Sequence, residues 1–212
     1  MSRYSSTYSF RFKRILIHNK VIRAKFVCFG EVLWDEFPAQ KKIGGDPLNV
    51  ALRLNSYGSN VEIIGSVGND KMGKQILDLL KKNRLNERLI QISNKLKTGN
   101  VKVMINQKGS ASYDIKFPRA WDHIDLTEDN KKTIKDSDIF IYGSLVGRDK
   151  NSRSTLYEWI KLATSKVLDV NLRFPYYQKE KIKEMMGKAD FIKLQTKMLD
   201  LNKFDEQGLM EV

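Results

Sequence analysis

From Lys25 onward the chain alternates short apolar runs with longer amphipathic ones. The segment Lys25–Phe29 (KFVCF) predicts a buried strand, stopped by Gly30. Residues 61–65 (VEIIG), 138–142, 166–170 and 190–194 predict four more. Between these runs the apolar period lengthens to that of a helix. Residues 47–57 predict a helix with Asp46 as N-cap, Pro47 in the first turn and Gly58 at the left-handed site that ends it. Residues 71–83 place Met72, Ile76, Leu79 and Leu80 on one face, and residues 152–164 and 179–187 predict two further helices. Strands separated by helices this long require crossovers. The pattern therefore predicts an α/β fold, a mostly parallel sheet flanked by helices on both faces. Residues 101–105 and 112–117, joined across Gln107, Lys108, Gly109 and Ser110, break that rhythm and read as a small strand flap. After Leu194 the periodicity fades.

Composition narrows the class. Of 212 residues 41% are hydrophobic, enough for one sizeable core, which excludes wholesale disorder. One cysteine excludes an intramolecular disulfide framework, and two histidines exclude a His-rich metal cluster. No apolar run approaches the ~20 residues of a membrane span, so no membrane partner is expected and a reducing cytoplasm is the simplest location. The net charge of +13 is uneven. Residues 1–25 hold seven basic side chains (Arg3, Arg11, Lys13, Arg14, Lys20, Arg23 and Lys25) and no acid. The remaining 31 Lys and Arg against 25 Asp and Glu leave only +6 for the rest. An organellar transit segment, a basic arm for nucleic acid and an unstructured leader all fit residues 1–25. With no aromatic-basic interleaving or nucleic-acid motif after it, the leader reading is preferred and a nucleic-acid partner is not expected.

In an open parallel sheet, ligands bind beyond the carboxyl ends of the strands, and that rule selects a short series of residues. After the first strand, alternation puts Glu31, Leu33 and Asp35 on one face, where an acid can accept hydrogen bonds from hydroxyl groups. Gly44, Gly45 and Asp46 precede the helix at Pro47, and two glycines there allow a ligand close to unpaired backbone N–H groups, with Asn49 one turn further on. A second glycine cluster, Gly65, Gly68 and Gly73, follows the second strand but has no dinucleotide or P-loop spacing. Asp169, Asn171 and Arg173 alternate at the end of another strand, and an arginine there is suited to an anion. Cys28 reads as core, and neither His18 nor His123 suggests a metal or a triad.

Eight segments in order, GEVLWDEFP (30–38), GGDPLNVALRLNSYG (44–58), IGSVGNDKMG (64–73), TGNVKV (98–103), AWDHI (120–124), YGSLVGR (142–148), VLDVNLR (167–173) and ADFIKL (189–194), resemble the ribokinase-like (pfkB) carbohydrate kinases, and within them the bacterial fructokinase-like branch. The resemblance covers about residues 26–196, with the flap at about 99–117 as the family's β lid and 197–212 as a divergent tail. It implies ATP-dependent phosphorylation of a sugar hydroxyl, with Mg²⁺, and fructose or a related hexose as the acceptor. It also implies pairing of two copies through the lid as one form of assembly. Asp35, Gly44, Gly45 and Asn49 match the family's sugar-site residues, and Asn171 and Arg173 its polar pair between sugar and phosphates. Asp46 departs from the small residue usual at that position.

The family's Asp-Thr-x-Gly-Ala-Gly-Asp segment, which supplies the catalytic base and the anion hole, has no counterpart in the 212 residues. Where the family's Asn-x-x-Glu element belongs stand Gln195, Thr196, Lys197 and Met198. On this reading no catalytic or metal-ligating residue is assigned, and the chain is expected to be a truncated kinase, inactive alone. A non-catalytic sugar-binding protein derived from a kinase is the alternative, and a nucleic-acid-binding scaffold a third.

Overall fold

The computed structural model describes residues 15–17, 20–22, 24–105, 111–173 and 175–194. Five parallel-sheet strands are those expected from the apolar runs: β3 (Lys25–Phe29), β6 (Asn60–Gly68), β10 (Ile139–Gly143), β11 (Lys166–Val170) and β12 (Phe191–Leu194). Here β1 (Ile15–Ile17) and β2 (Lys20–Ile22) precede them, and β4 (Leu33–Glu36), β5 (Lys41–Gly44), β7 (Ile90–Ser93), β8 (Gly99–Ile105) and β9 (Ala111–Ile115) complete the strands. The helices are α1 (Asp46–Ser56), α2 (Lys71–Lys82), α3 (Glu128–Lys135), α4 (Lys150–Ile160) and α5 (Lys179–Gly187).

The six-stranded sheet has the order β12-β11-β10-β3-β6-β7, every pairing parallel. Alternation along β3 sends its residues to two cores. Phe26 and Cys28 pack with Leu48, Ala51 and Leu54 of α1 and Ile76 and Leu80 of α2. Val27 and Phe29 pack with Ile134 of α3, Leu156 and Trp159 of α4 and Met185 of α5. Burial drives the Cys28 thiol far above its ordinary range, in keeping with a core role. From β3 the chain runs outward through β6 and β7, then returns to the other side of β3 as β10 and continues through β11 to β12. The reversal between β3 and β10 opens a crevice at their carboxyl ends.

The four-stranded sheet, β5-β4-β8-β9, stands over that crevice as a lid. It is larger than the flap expected at residues 99–117, because β4 pairs in parallel with β8 and brings β5 with it. The turn at residues 106–110 lies outside the described residues. The lid is fastened at its base by a buried ion pair between Arg148 and Asp122, which have side-chain exposures of 6% and 0%. Arg148 Nε and Nη2 donate to the two Asp122 oxygens at 2.7 and 2.8 Å, and Nη2 also donates to the Lys116 carbonyl just after β9. The guanidinium lies 3.9 Å from the Trp121 ring centroid, and that indole fills the space a side chain at Gly99 would need. Beside this pair the Tyr176 hydroxyl accepts from the Ile115 N–H at 3.0 Å, its ring 5.9 Å from the Arg148 guanidinium.

One helix end differs from expectation. Asp46 does not cap α1: the N-cap is Gly45, at φ 109°, with no side-chain cap bond, and Asp46 is the first helical residue. Its carboxyl is turned across the crevice instead. At the other end Gly58 adopts φ 72°, with Gly58 N–H to Asn55 O and Ser59 N–H to Leu54 O, the paired bonds of a Schellman motif. The same motif ends α2, but there the left-handed residue is Arg84 at φ 57°. The segment read as an unstructured leader also differs, since Ile15–Ile17 and Lys20–Ile22 pair as antiparallel strands; its other residues up to 23 lie outside the described residues, as does 195–212.

The second glycine cluster is structural. Asp70 caps α2 by accepting from Gly73 N–H at 2.8 Å, and it also accepts from the Thr98 N–H at 2.9 Å and the Thr98 hydroxyl at 2.7 Å. Thr98 in turn accepts from Gly68 N–H at 2.9 Å. Partial burial raises the Asp70 carboxyl, but the bonds from Thr98 and Gly73 outweigh it and hold it below the usual range.

Two stability changes follow. Arg84 is exposed and left-handed, so Arg84→Gly should raise unfolding free energy by ~0.5–1 kcal/mol, the backbone strain removed less the added entropy of the unfolded glycine; a thermal or urea transition measures it. Asp70→Ala should cost ~1–2 kcal/mol at pH 7, the scale of a lost N-cap with extra bonds. Because the folded pKa is depressed, Asp70 stabilises above its unfolded value near ~4 and loses that contribution as pH falls. The difference between wild type and Asp70→Ala should therefore shrink in acid.

Candidate functional site

A cavity of about 320 Å³ lies between the carboxyl ends of β3 and β10 and the underside of the lid. One wall is apolar and comes from the lid: Leu33, Val101, Val103 and Ile115, with the Tyr113 ring. The opposite side is polar and comes from the sheet and α1: Glu31, Asp46, Asn49, Asn171 and Arg173, with Asp35 from β4. This is the arrangement of a small polar ligand clamped by an apolar cover.

Each polar group is placed by local chain geometry. Glu31, Leu33 and Asp35 all line the cavity, as their alternation anticipates. The Asp35 carboxyl occupies the space where a side chain on Gly44 would stand, so Gly44 serves the site by having none. Gly45 lines the cavity itself, and its positive φ is combined with the Glu31 carbonyl so close that a Cβ would collide with it. Asn49 is exposed at the rim. Asn171 is buried, donates its backbone N–H to the Ser144 hydroxyl oxygen at 3.0 Å and its Nδ2 to Asp46 Oδ2. The Arg173 guanidinium stacks on Tyr113, 4.5 Å from the ring centroid, which ties it to the lid. Asp35, Gly45, Asn49, Asn171 and Arg173 are thus brought together around one space, and Gly44 lies directly behind it. Asp169 is not: it sits beneath the site, accepting from Lys193 Nζ at 2.6 Å.

Electrostatics set the carboxyls apart. Burial, then the nearby Asp46 charge, pushes Glu31 up to about 8, against backbone N–H groups of Glu31 and Asp46 and the Arg148 charge. Asp35 is raised for the same two reasons, desolvation first and then Asp46, with Arg173 acting in the opposite sense. Burial likewise raises Asp169, opposed by its bond to Lys193. Such concentrations of raised carboxyls in a cleft mark functional sites.

Reasoning from sequence placed Glu31 and Asp46 beside the site without assigning either a role in it, and did not see the lid wall of Val101, Val103, Tyr113 and Ile115. The alternation from Asp35 back to Glu31 was the available signal. For Asp46 it was the departure from the small residue usual there, set against a position before Pro47 that imitates a cap. Asn151 Nδ2 lies 3.2 Å from the His123 Nε2, and His18 lies outside the described residues, as do Gln195 and Met198. Among the described residues no group of three or more His, Cys, Asp and Glu is placed to hold a metal ion, and no helix is long and apolar enough to cross a membrane.

Comparison with known proteins agrees with this architecture. A probable fructokinase-7 of Arabidopsis thaliana is 30% identical over 204 residues, covering 86% of this chain and 60% of that relative. The chain thus spans about three-fifths of the length of this curated relative. An uncharacterized sugar kinase from Pyrococcus horikoshii superposes with a TM-score of 0.76 at 25% identity, over 88% of this chain and 70% of that one. A fructokinase from Xylella fastidiosa, crystallised with bound ATP, shares the fold with a TM-score of 0.74 at 23% identity, over 85% of this chain and 60% of its own. The family described as pfkB family carbohydrate kinase matches residues 16–201, reaching further towards the N-terminus than the motifs alone, through the β1–β2 pair. A parallel sheet reversing beside its first buried strand, a strand lid over a hydroxyl-suited cavity and this match over most of the sequence have one explanation: the chain belongs to the pfkB family of carbohydrate kinases.

Proposed function

We propose that these residues form the sugar-holding part of a fructokinase-type kinase, with fructose or a related hexose in the cavity beneath the lid. The observation that carries the reading is the convergence of Asp35, Asp46, Asn49, Asn171 and Arg173 on one cavity at the topological switch point. A hexose presents several hydroxyls on one side and C–H faces on the other. The cavity has the complementary division, carboxyl and amide groups opposite Val101, Val103 and Tyr113. Asp35 accepts from sugar hydroxyls, Asn49 closes the rim, and the backbone at Gly45 lets the sugar approach α1. Arg173 supplies positive charge on the side where a phosphoryl group would arrive.

Where the family's magnesium-associated element belongs stand residues 195–198, outside the described residues, so no step is assigned through magnesium nucleotide. A sugar hydroxyl needs a base to become a nucleophile, typically worth ~10²–10⁴ in rate, and no segment of the 212 residues matches the family's Asp-Thr-x-Gly-Ala-Gly-Asp pattern. ATP-dependent phosphorylation is therefore proposed for a kinase in which such a segment joins this part.

Isothermal titration of the 212-residue chain with fructose is the direct test. Saturable binding is expected, and Asp35→Ala should weaken it at least ~tenfold, since one hydrogen bond to a charged group is worth ~1.5–3 kcal/mol. Equal binding by wild type and Asp35→Ala would place the sugar elsewhere. In a coupled kinase assay the chain alone should give no ATP-dependent turnover; robust turnover would require a base among the residues present.

A further inference from the structure

Glu31 is the least expected group in the cavity. It is 2% exposed, it lines the floor, and its Oε2 has no hydrogen-bond partner. A buried carboxyl oxygen left unpaired carries a large desolvation cost unless a ligand satisfies it. The charged and titratable groups around it are Asp46 at the start of α1, Arg148 after β10, Asp35 and Tyr113 of the lid, and Asp169 and Arg173 at and after the end of β11. Of these Asp46 and Arg148 act on it directly, with opposite sign, and Arg148 is already engaged by both oxygens of Asp122. With its titration displaced to about 8, Glu31 carries a proton at pH 7 and is an O–H donor.

Asn171 lines the same cavity and is 5% exposed. Its Nδ2 is spent on Asp46, which fixes the amide so that Oδ1 is the remaining atom, and Oδ1 has no partner either. Both residues adjoin Asp46. The unpaired donor and acceptor thus belong to two buried residues that line one cavity. A hydroxyl group satisfies both at once, because it accepts through its lone pairs and donates its own hydrogen.

Building on the hexose reading, we propose that Glu31 is a specificity residue that reads one sugar hydroxyl, its carboxyl donating to the hydroxyl oxygen while the hydroxyl hydrogen goes to Asn171 Oδ1. Asp35 and Asp46 discriminate by accepting alone; Glu31 demands an acceptor on the ligand. This proposal separates it from the other acids of the cavity and gives the unpaired Oε2 a purpose.

The test is titration calorimetry with fructose between pH 6.5 and 9.5 on the full 212-residue chain, its Glu31→Gln variant and its Glu31→Met variant. Only the protonated wild type binds well, so affinity should fall about tenfold from pH 6.5 to pH 9 and continue to fall above it. Glutamine keeps a donor of the same shape without titrating. Glu31→Gln should bind within about threefold of wild type at pH 6.5 and stay level across the range. Glu31→Met keeps the volume but loses the donor, and should bind at least about tenfold more weakly at every pH. The Glu31 carboxyl carbon, assigned by NMR from its loss in Glu31→Gln, should titrate well above the ordinary carboxylate range. Wild-type binding that is level with pH, Glu31→Met binding as tight as wild type, or an ordinary carboxyl midpoint would each overturn the proposal alone. Absence of fructose binding by every form at every pH would instead overturn the hexose reading, and this one with it.

Discussion

Body and lid are separate sheets, and the Arg148–Asp122 pair is where they are made one. Both side chains are almost wholly withdrawn from water, a state that is costly for an isolated charge and tolerable only with bidentate geometry. Removing either partner would strand the other, a loss of order ~3–5 kcal/mol against a typical total of ~5–15. The pair also spaces the cavity. Arg148 holds the end of β9 through the Lys116 carbonyl and the start of β8 through Trp121 under Gly99. Val101, Val103 and Ile115 can then face the sheet at a fixed height above Glu31 and Asn171.

The sheet's reversal explains why the polar groups meet. Glu31 follows β3, Ser144 follows β10 and Asn171 follows β11, three segments far apart in sequence that end at one level of the sheet. The lid returns Asp35 to that level from above. No single segment makes the site. Its parts are delivered by strand ends, and the Asp46–Asn171 contact then locks two of them together across 125 residues.

Legibility in the sequence tracked the locality of each cause. Lys166–Val170 and Lys179–Gly187 have the same bounds in sequence and structure, since each is an uninterrupted period flanked by clear punctuation. By contrast β4 (LWDE) and β5 (KKIG) are short, half-exposed and joined by the four-residue loop FPAQ, so their strand character arises from pairing with β8 and each other. The helix α3 (EDNKKTIK) buries only Asn130, Thr133 and Ile134 and has almost no apolar stripe to detect. In the site, Asp35, Asn171 and Arg173 were legible because alternation along an extended chain is a local rule. Asp46 was misread for the converse reason. Its neighbours Gly45 and Pro47 satisfy the statistics of a helix start, while the partner that decides its orientation lies just past the end of a distant strand.

The outermost strand of the large sheet carries a colloidal consequence. Phe191 and Ile192 of β12 are 63% and 42% exposed, and among the described residues no strand pairs with its outer side. Unpaired backbone beside open apolar side chains is a template for another extended chain. The charge of Lys193, which opposes such pairing, is committed to Asp169 at the sheet's end. A single added charge at Phe191 or Ile192 would oppose that pairing without touching the residues that line the cavity.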